Sequence, residues 1–283
     1  MSQYDSGILV VVMERVPTFK VMKTFALLLL SLVTTAQSTV EDKPVSKGEE
    51  LQFKLTYGWF TVGRGSFKIS DDYVLKDGKE CIEINVHGKT AGLAGVFSKV
   101  DDRWGAIVDK ETFLPHYSYR DLSEGDKDLD EKTYFDYDSM SIQVESTSTS
   151  NPESNGTKYF ELDGSSYFDM MGGLMFARSV DYRSMQKGDT IRLDAFFDEE
   201  FYDFKMIYHG IEKTRTKIGK IYCHKVVPIM EKNSVFKGKD PVKFWISADA
   251  NRLPLKVAAK MNFGKAQVEL TSYKNAKSGI DFK

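Results

Sequence analysis

The residues of this chain with chemistry to offer are four histidines, two cysteines and three acidic clusters. His87, His116, His209 and His224 show no metal-ligand spacing such as H-x-x-x-H. Cys223 and His224 are neighbours, so on a strand they point to opposite faces and would not share a metal. There is no G-x-S-x-G nucleophile elbow and no phosphate-binding loop. "GRGSF" at 63–67 lacks the third glycine of a dinucleotide loop and sits in a β-forming run, where a tight turn or bulge is the better reading. Carboxylates gather at Asp101-Asp102, in "DKDLDE" (126–131) and in "DEE" (198–200). Such pairs can serve glycoside hydrolysis or hold calcium. Here they alternate with Lys and Arg where turns are expected, and no calcium-loop glycine follows, so solvated turns are the expectation. The reading is therefore of no enzyme: no catalytic residue, no metal site and no cofactor. A net charge of −2 offers no basic excess for nucleic acid.

What remains is apolar binding. "YGWF" (57–60), "YFDY" (134–137) and "FFDEEFYDF" (196–204) alternate partly with polar residues. On a curved sheet they would line an aromatic concave pocket or form ordinary β core. One stretch breaks the β rhythm, "SSYFDMMGGLMFARSVDYRSM" at 165–185. Ser166 followed by Asp169 resembles a capping box, and Phe168, Met171 and Met175 recur at helical spacing. Gly172-Gly173 should weaken or kink that helix. Methionines suit either a variable ligand or a plug that completes a core. The expected pocket lining is Tyr57, Trp59, Phe97, Trp104, Phe168, Met171 and Met175.

The elements that would hold such a pocket are strands. Period-two runs predict them near 49–57, 61–70, 80–88, 98–108, 115–121, 131–137, 140–147, 157–162, 189–197, 201–209, 212–218, 221–228, 242–247, 254–260 and 265–273. A second short helix is expected at 92–98. An internal echo organises the runs. "WGAIVDKETFLPHY" (104–117) and "WISADANRLPLKV" (245–257) each place an Asp between a Trp and a Leu-Pro pair. Each reads as strand, Asp-centred turn, strand, with the same residues opposite one another in both copies. Upstream, Gly78-Lys79 before Cys81 matches Gly219-Lys220 before Cys223. The fold class expected is all-β and antiparallel: a large curved sheet or open half-barrel of two related β units, with one or two short helices packed on or plugging it. The two cysteines could pair in an oxidising compartment or remain buried thiols.

Residues 22–36, "MKTFALLLLSLVTTA", read as a secretory signal cleaved after Ala36, too short to span a bilayer. Residues 1–21 read as an upstream extension, 37–48 as a tail, 49–273 as one β-rich domain and 274–283 as a C-terminal tail. The halves would be 49–162 and 186–273, joined by 165–185.

"YGWFTVGRGSFKI", "FSKVDDRWGAIVDKETFLP", a central helix ending near Arg178, "GKIYCHKVVP" and "FWISADANRLPLKV" follow one another across nearly all of 45–273. In this order they resemble the bacterial envelope family catalogued as domain of unknown function 3108. The resemblance implies β-rich exported proteins of Gram-negative bacteria, with no assigned activity and no catalytic residues; the signal ending "TTAQS" resembles those of Bacteroidota. By analogy of fold, such chains are similar to periplasmic lipoprotein carriers, whose open half-barrels hold acyl chains. The expectation is a periplasmic protein with no transmembrane span, in peripheral contact with the outer membrane, that binds or carries an apolar, lipid-like ligand. The alternative is an envelope assembly or structural factor that meets a protein or glycan partner through an exposed sheet face.

Overall fold

Alternating apolar and polar side chains run through most of the chain. The computed structural model, which describes residues 43–92, 99–230, 235–280 and 282, arranges them in a single fifteen-stranded sheet. The strands are β1 (Glu50–Tyr57), β2 (Phe60–Ile69), β3 (Val74–Lys76), β4 (Lys79–Thr90), β5 (Asp101–Asp109), β6 (Pro115–Glu124), β7 (Lys127–Asp136) and β8 (Ser141–Ser148). They continue as β9 (Gly156–Glu161), β10 (Thr190–Phe197), β11 (Glu200–Thr216), β12 (Gly219–Pro228), β13 (Val242–Ser247), β14 (Pro254–Lys260) and β15 (Lys265–Lys274). Every ladder is antiparallel, in the order β10-β11-β12-β13-β14-β15-β1-β2-β4-β5-β6-β7-β8-β9, with β3 beside β4. β15 pairs with β1, so the sheet runs unbroken from the second half into the first.

The two edges, β9 and β10, are consecutive in the chain, and the segment between them contains helix α1 (Met170–Ser179). A twisted sheet of this width curls rather than staying flat. Here the curl brings the edges together through side chains. Lys158 bonds Glu199 at 2.6 Å, and the Phe160 ring lies 5.0 Å from that of Phe196. Inside the curl, Met171, Leu174 and Met175 of α1 join Leu51, Ile84 and Val108 from one side and Leu193 and Leu255 from the other.

The helix is shorter than expected and is capped by Asp169, not Ser166. The Asp169 carboxylate accepts the N–H groups of Gly172 and Met171, while Phe168 still pairs in extended form with Ala195 of β10. Gly172 serves close packing: a Cβ there would stand 2.4 Å from the Phe113 carbonyl oxygen. The helix expected at 92–98 lies, from 93 onward, outside the described residues.

Other differences have local causes. The runs at 201–209 and 212–218 are one strand, β11, whose register shifts between Tyr208 and Ile211, around Gly210 with φ +86°. β3 had no signal of its own. Of "DKDLDE" only Asp126 lies in the turn. The turn tightens to Gly125 (φ +68°), so Asp128 and Asp130 face solvent from β7 while Glu131 is buried. Asp101 and Asp102 likewise lie in β5, with Asp102 fully buried.

The echo is real at its turns. Asp109 Oδ1 accepts the N–H of Glu111 and Thr112; Asp249 Oδ1 accepts those of Asn251 and Arg252. Phe113 and Arg252 take the same left-handed backbone, with φ 61° and 46°. In each copy one extra residue, His116 or Leu255, bulges just after the Pro. The tryptophans are not equivalent, however. Trp104 shares the inner face with Val108, whereas Trp245 points opposite to Ile246 and donates to Glu212 Oε1 at 2.7 Å. The bulges let the strands keep similar turns while the residues further out differ. Cys81 and Cys223 are buried free thiols opposite Asp109 and Ser247.

At the end of α1, Arg178 is fully buried against Glu49, with Nη1 2.6 Å from Oε1 and Nη2 2.8 Å from Oε2. Nη2 also donates to the carbonyls of Pro44 and Asn251, at 2.6 Å and 3.1 Å. Glu49→Gln should therefore cost about 3–5 kcal/mol in urea unfolding, because it strands a buried guanidinium. The double replacement Glu49→Met with Arg178→Met should be milder than either single change. A loss under about 1 kcal/mol for Glu49→Gln would contradict this role.

Candidate functional site at the aromatic end

The residues expected to line one pocket fall in three places. Phe168, Met171 and Met175 are core, at 5%, 2% and 0% exposure. They are buried because α1 occupies the space inside the curl. Trp104 lies against the same core and meets Met171 at an opening of about 20 Å³, lined also by Arg120, Thr133, Asp169 and Phe197. That is room for about one water, not for an acyl chain. Tyr57 and Trp59 sit at the far end of β1, and Phe97 lies outside the described residues.

The wall beside Trp104 mixes aromatic and Met side chains with a buried polar cluster. Arg120, directly opposite both Trp104 and Glu131, donates from Nε to Glu131 Oε1 at 2.7 Å and from Nη2 to Asp198 Oδ1 at 3.1 Å. Its guanidinium stacks 4.6 Å over Phe197. Asp169, at the head of α1, is pushed up to about 6 by burial, against the pull of the Gly172 and Met171 N–H groups. Further along β5, Asp102 accepts Ser123 N–H at 3.0 Å through Oδ1, while Oδ2 is buried without a partner. Burial, then the nearby charge of Glu124, pushes its carboxyl up to about 7. His224, stacked on Tyr182 and bonded to Tyr208, is pushed down to about 4 by burial. Among the described residues, no group of three or more His, Cys, Asp or Glu is placed to hold a metal ion.

Three of the exposed aromatics, the most exposed one included, stand together at one end of the sheet. Trp59 is 98% exposed and Phe60 62% at the β1–β2 turn; Phe263 is 71% exposed at the β14–β15 turn. The two turns are tied together. Gly58 N–H donates to the Lys265 carbonyl at 2.8 Å, and the Tyr57 ring packs under Gly264, where a Cβ would stand 3.0 Å from it. Burial of the Tyr57 hydroxyl, which has no partner, raises its phenol. Lys260 and Lys265 pair at the base of the Phe263 turn, and Lys237 N–H bonds the Lys260 carbonyl. No Asp or Glu occurs in 51–70 or 254–268. Phe60 belongs to the "YGWF" run, but Phe263 was missed as a site residue: one aromatic beside a turn glycine gives no periodic signal.

The family described as Protein of unknown function (DUF3108) has a model that matches residues 52–271. The chain belongs to this family. No curated protein matches it. Among solved structures, the fold is similar to a beta-barrel-like protein of domain of unknown function DUF1849 from Brucella abortus. That chain is 7% identical, with 82% of this chain and 100% of that one covered and a TM-score of 0.51. A protein with a YmcC-like fold from Bacteroides fragilis aligns at 11% identity over 83% of this chain and 100% of its own, with a TM-score of 0.36. In this DUF3108 member no helix of the described residues is long and apolar enough to cross a membrane.

Because the folded-state carboxyl of Asp102 lies above its ordinary value of 3.8, the folded protein keeps a proton that the unfolded chain has released. Stability from this group is present at low pH and falls as pH rises from about 4 through about 7. Asp102→Asn should flatten that part of the curve: between pH of about 5 and 8 its urea midpoint should drop less than that of the wild type. An equal or larger drop would rule out this titration.

Proposed function

We propose that this DUF3108 protein is a non-catalytic binding protein of the cell envelope that engages lipid from outside, through the aromatic end formed by Trp59, Phe60 and Phe263. The observation that carries the reading is the near-complete exposure of Trp59 on a turn joined to that of Phe263. Large aromatic side chains left in water at adjacent turn tips mark a contact surface, and Trp favours the lipid–water interface. The acid-free tips with lysines at their base suit anionic headgroups. The signal-like segment at 22–36 supports export to the periplasm. The filled interior favours contact with lipid at a surface over enclosure of an acyl chain.

A second reading, a protein or glycan partner on the sheet's outer face, is favoured by one row. Tyr117, Tyr134, Gln143 and Tyr159 stand directly opposite one another across β6 to β9. Their rings and amide could stack on and bond an extended partner.

Vesicle flotation separates the two. The wild type should float with vesicles containing an anionic lipid, and a W59S/F60S/F263S variant should bind on the order of a hundredfold more weakly. Its unfolding midpoint should not change, since these side chains are exposed. Equal flotation of the two proteins would overturn the lipid reading, as would failure of the wild type to float.

A further inference from the structure

At the opposite end of β2 from the aromatic turn, a cleft of about 140 Å³ opens beside the first Asp-centred turn. Its floor is apolar: Ile69, Ile82 and Phe113 are 1%, 4% and 2% exposed, and Val45 adds to them. Its rim carries Lys43, Lys47, Lys110 and Glu111: Lys47 and Lys110 flank the ring of Tyr73, and Lys43 Nζ lies 5.3 Å over that of Phe113. The three ammonium groups differ in how they are satisfied. Lys43 Nζ spends its three donors on the Lys110 carbonyl at 2.8 Å and on the Glu111 carbonyl and carboxylate, both at 2.6 Å. Lys110 is ion-paired with Glu80 and lies 5.2 Å from the Tyr73 ring. Lys47 Nζ sits 4.0 Å over the Tyr73 ring, and among the described residues no carboxylate stands at ion-pair distance from it. A ring face attracts a cation without using its N–H donors. Glu111 and Glu80 thus close on Lys43 and Lys110, while Lys47 acts on Glu80 only from a distance and keeps its N–H donors open to a negative charge.

We propose that this cleft binds a small organic anion: one carboxylate on a compact apolar body. The carboxylate would meet Lys47 at the rim, and the body would rest on Ile69, Ile82 and Phe113 with its edge against Tyr73. The size fits. An apolar cavity of about 150 Å³ accepts a benzene ring, and this opening is of similar volume but has a charged mouth. One unpaired ammonium matches a monoanion. A phosphate or sulfate would leave the apolar floor unused.

The test is a calorimetric or NMR titration of the full chain with benzoate, with benzyl alcohol as the same body without charge, and with acetate as the charge without the body. Benzoate should bind at least about tenfold more tightly than either. Lys47→Met, which keeps an unbranched apolar side chain and removes the charge, should weaken benzoate by about tenfold and leave benzyl alcohol unchanged. Lys47 is exposed, so the variant should fold as the wild type does. Two results would overturn the proposal: benzoate binding no tighter than acetate, which marks a surface counter-ion, or a Lys47→Met protein that binds benzoate as the wild type does.

Discussion

The structure depends on the buried pairing of Arg178 with Glu49. Taking a guanidinium and a carboxylate out of water costs several kcal/mol for each ion unless geometry and further hydrogen bonds compensate. Here two carboxylate bonds and two backbone carbonyls surround Arg178. Those partners come from two distant stretches, the entry to β1 and the second Asp-centred turn, and Arg178 ties both to the end of α1. Arg252, on that turn, returns a bond to the Arg178 carbonyl at 3.2 Å, and Asn251 exchanges bonds with Ser278. One side chain therefore fixes where the helix lies inside the curled sheet. It also holds the 43–49 segment, which brings Lys43, Val45 and Lys47 to the basic cleft.

With the helix so placed, the inside of the sheet becomes a core. α1 supplies methionines that fit against strands from both halves, and the polar cluster of Arg120, Glu131 and Asp198 occupies the wall beside it. What this leaves for binding lies outside and at the ends. The aromatic turns stand at one end of β2 and the lysine cleft at the other, separated by ten residues of strand or roughly 30 Å. The two ends differ in chemistry: one exposes three aromatic side chains, the other sets an ammonium group beside a small cleft with an apolar floor.

Much of this was legible in the sequence. Period-two alternation marks most of the strands, because each has one face in the core. The Leu-Pro echo marks both Asp-centred turns, because an Asp side chain that bonds two successive N–H groups and a Pro that starts a strand are local requirements. The faces of Trp104 and Trp245 were not legible. Trp104 lies four residues before the partner of Pro115 and Trp245 one residue before the partner of Pro254, so alternation turns them to opposite faces, and which residue pairs with the Pro depends on the turn length. Nor could Arg178 be recognised as buried, since its partner Glu49 is 129 positions away. The lining role expected for Phe168, Met171 and Met175 rested on helical spacing, which is the same for a plug as for a lid. Trp59 was legible as aromatic but not as exposed, because exposure follows from its place at a turn tip rather than from its neighbours in sequence.

Because α1 packs inside the sheet, the lipid contact proposed above is made from outside. Native mass spectrometry of the protein purified from its own cells tests this most directly, with denaturing extraction to reveal any retained small molecule. The expected result is the polypeptide mass alone, with no stoichiometric acyl-chain lipid in the extract. One lipid retained per chain would contradict the claim, because it would require α1 to leave the inside of the sheet.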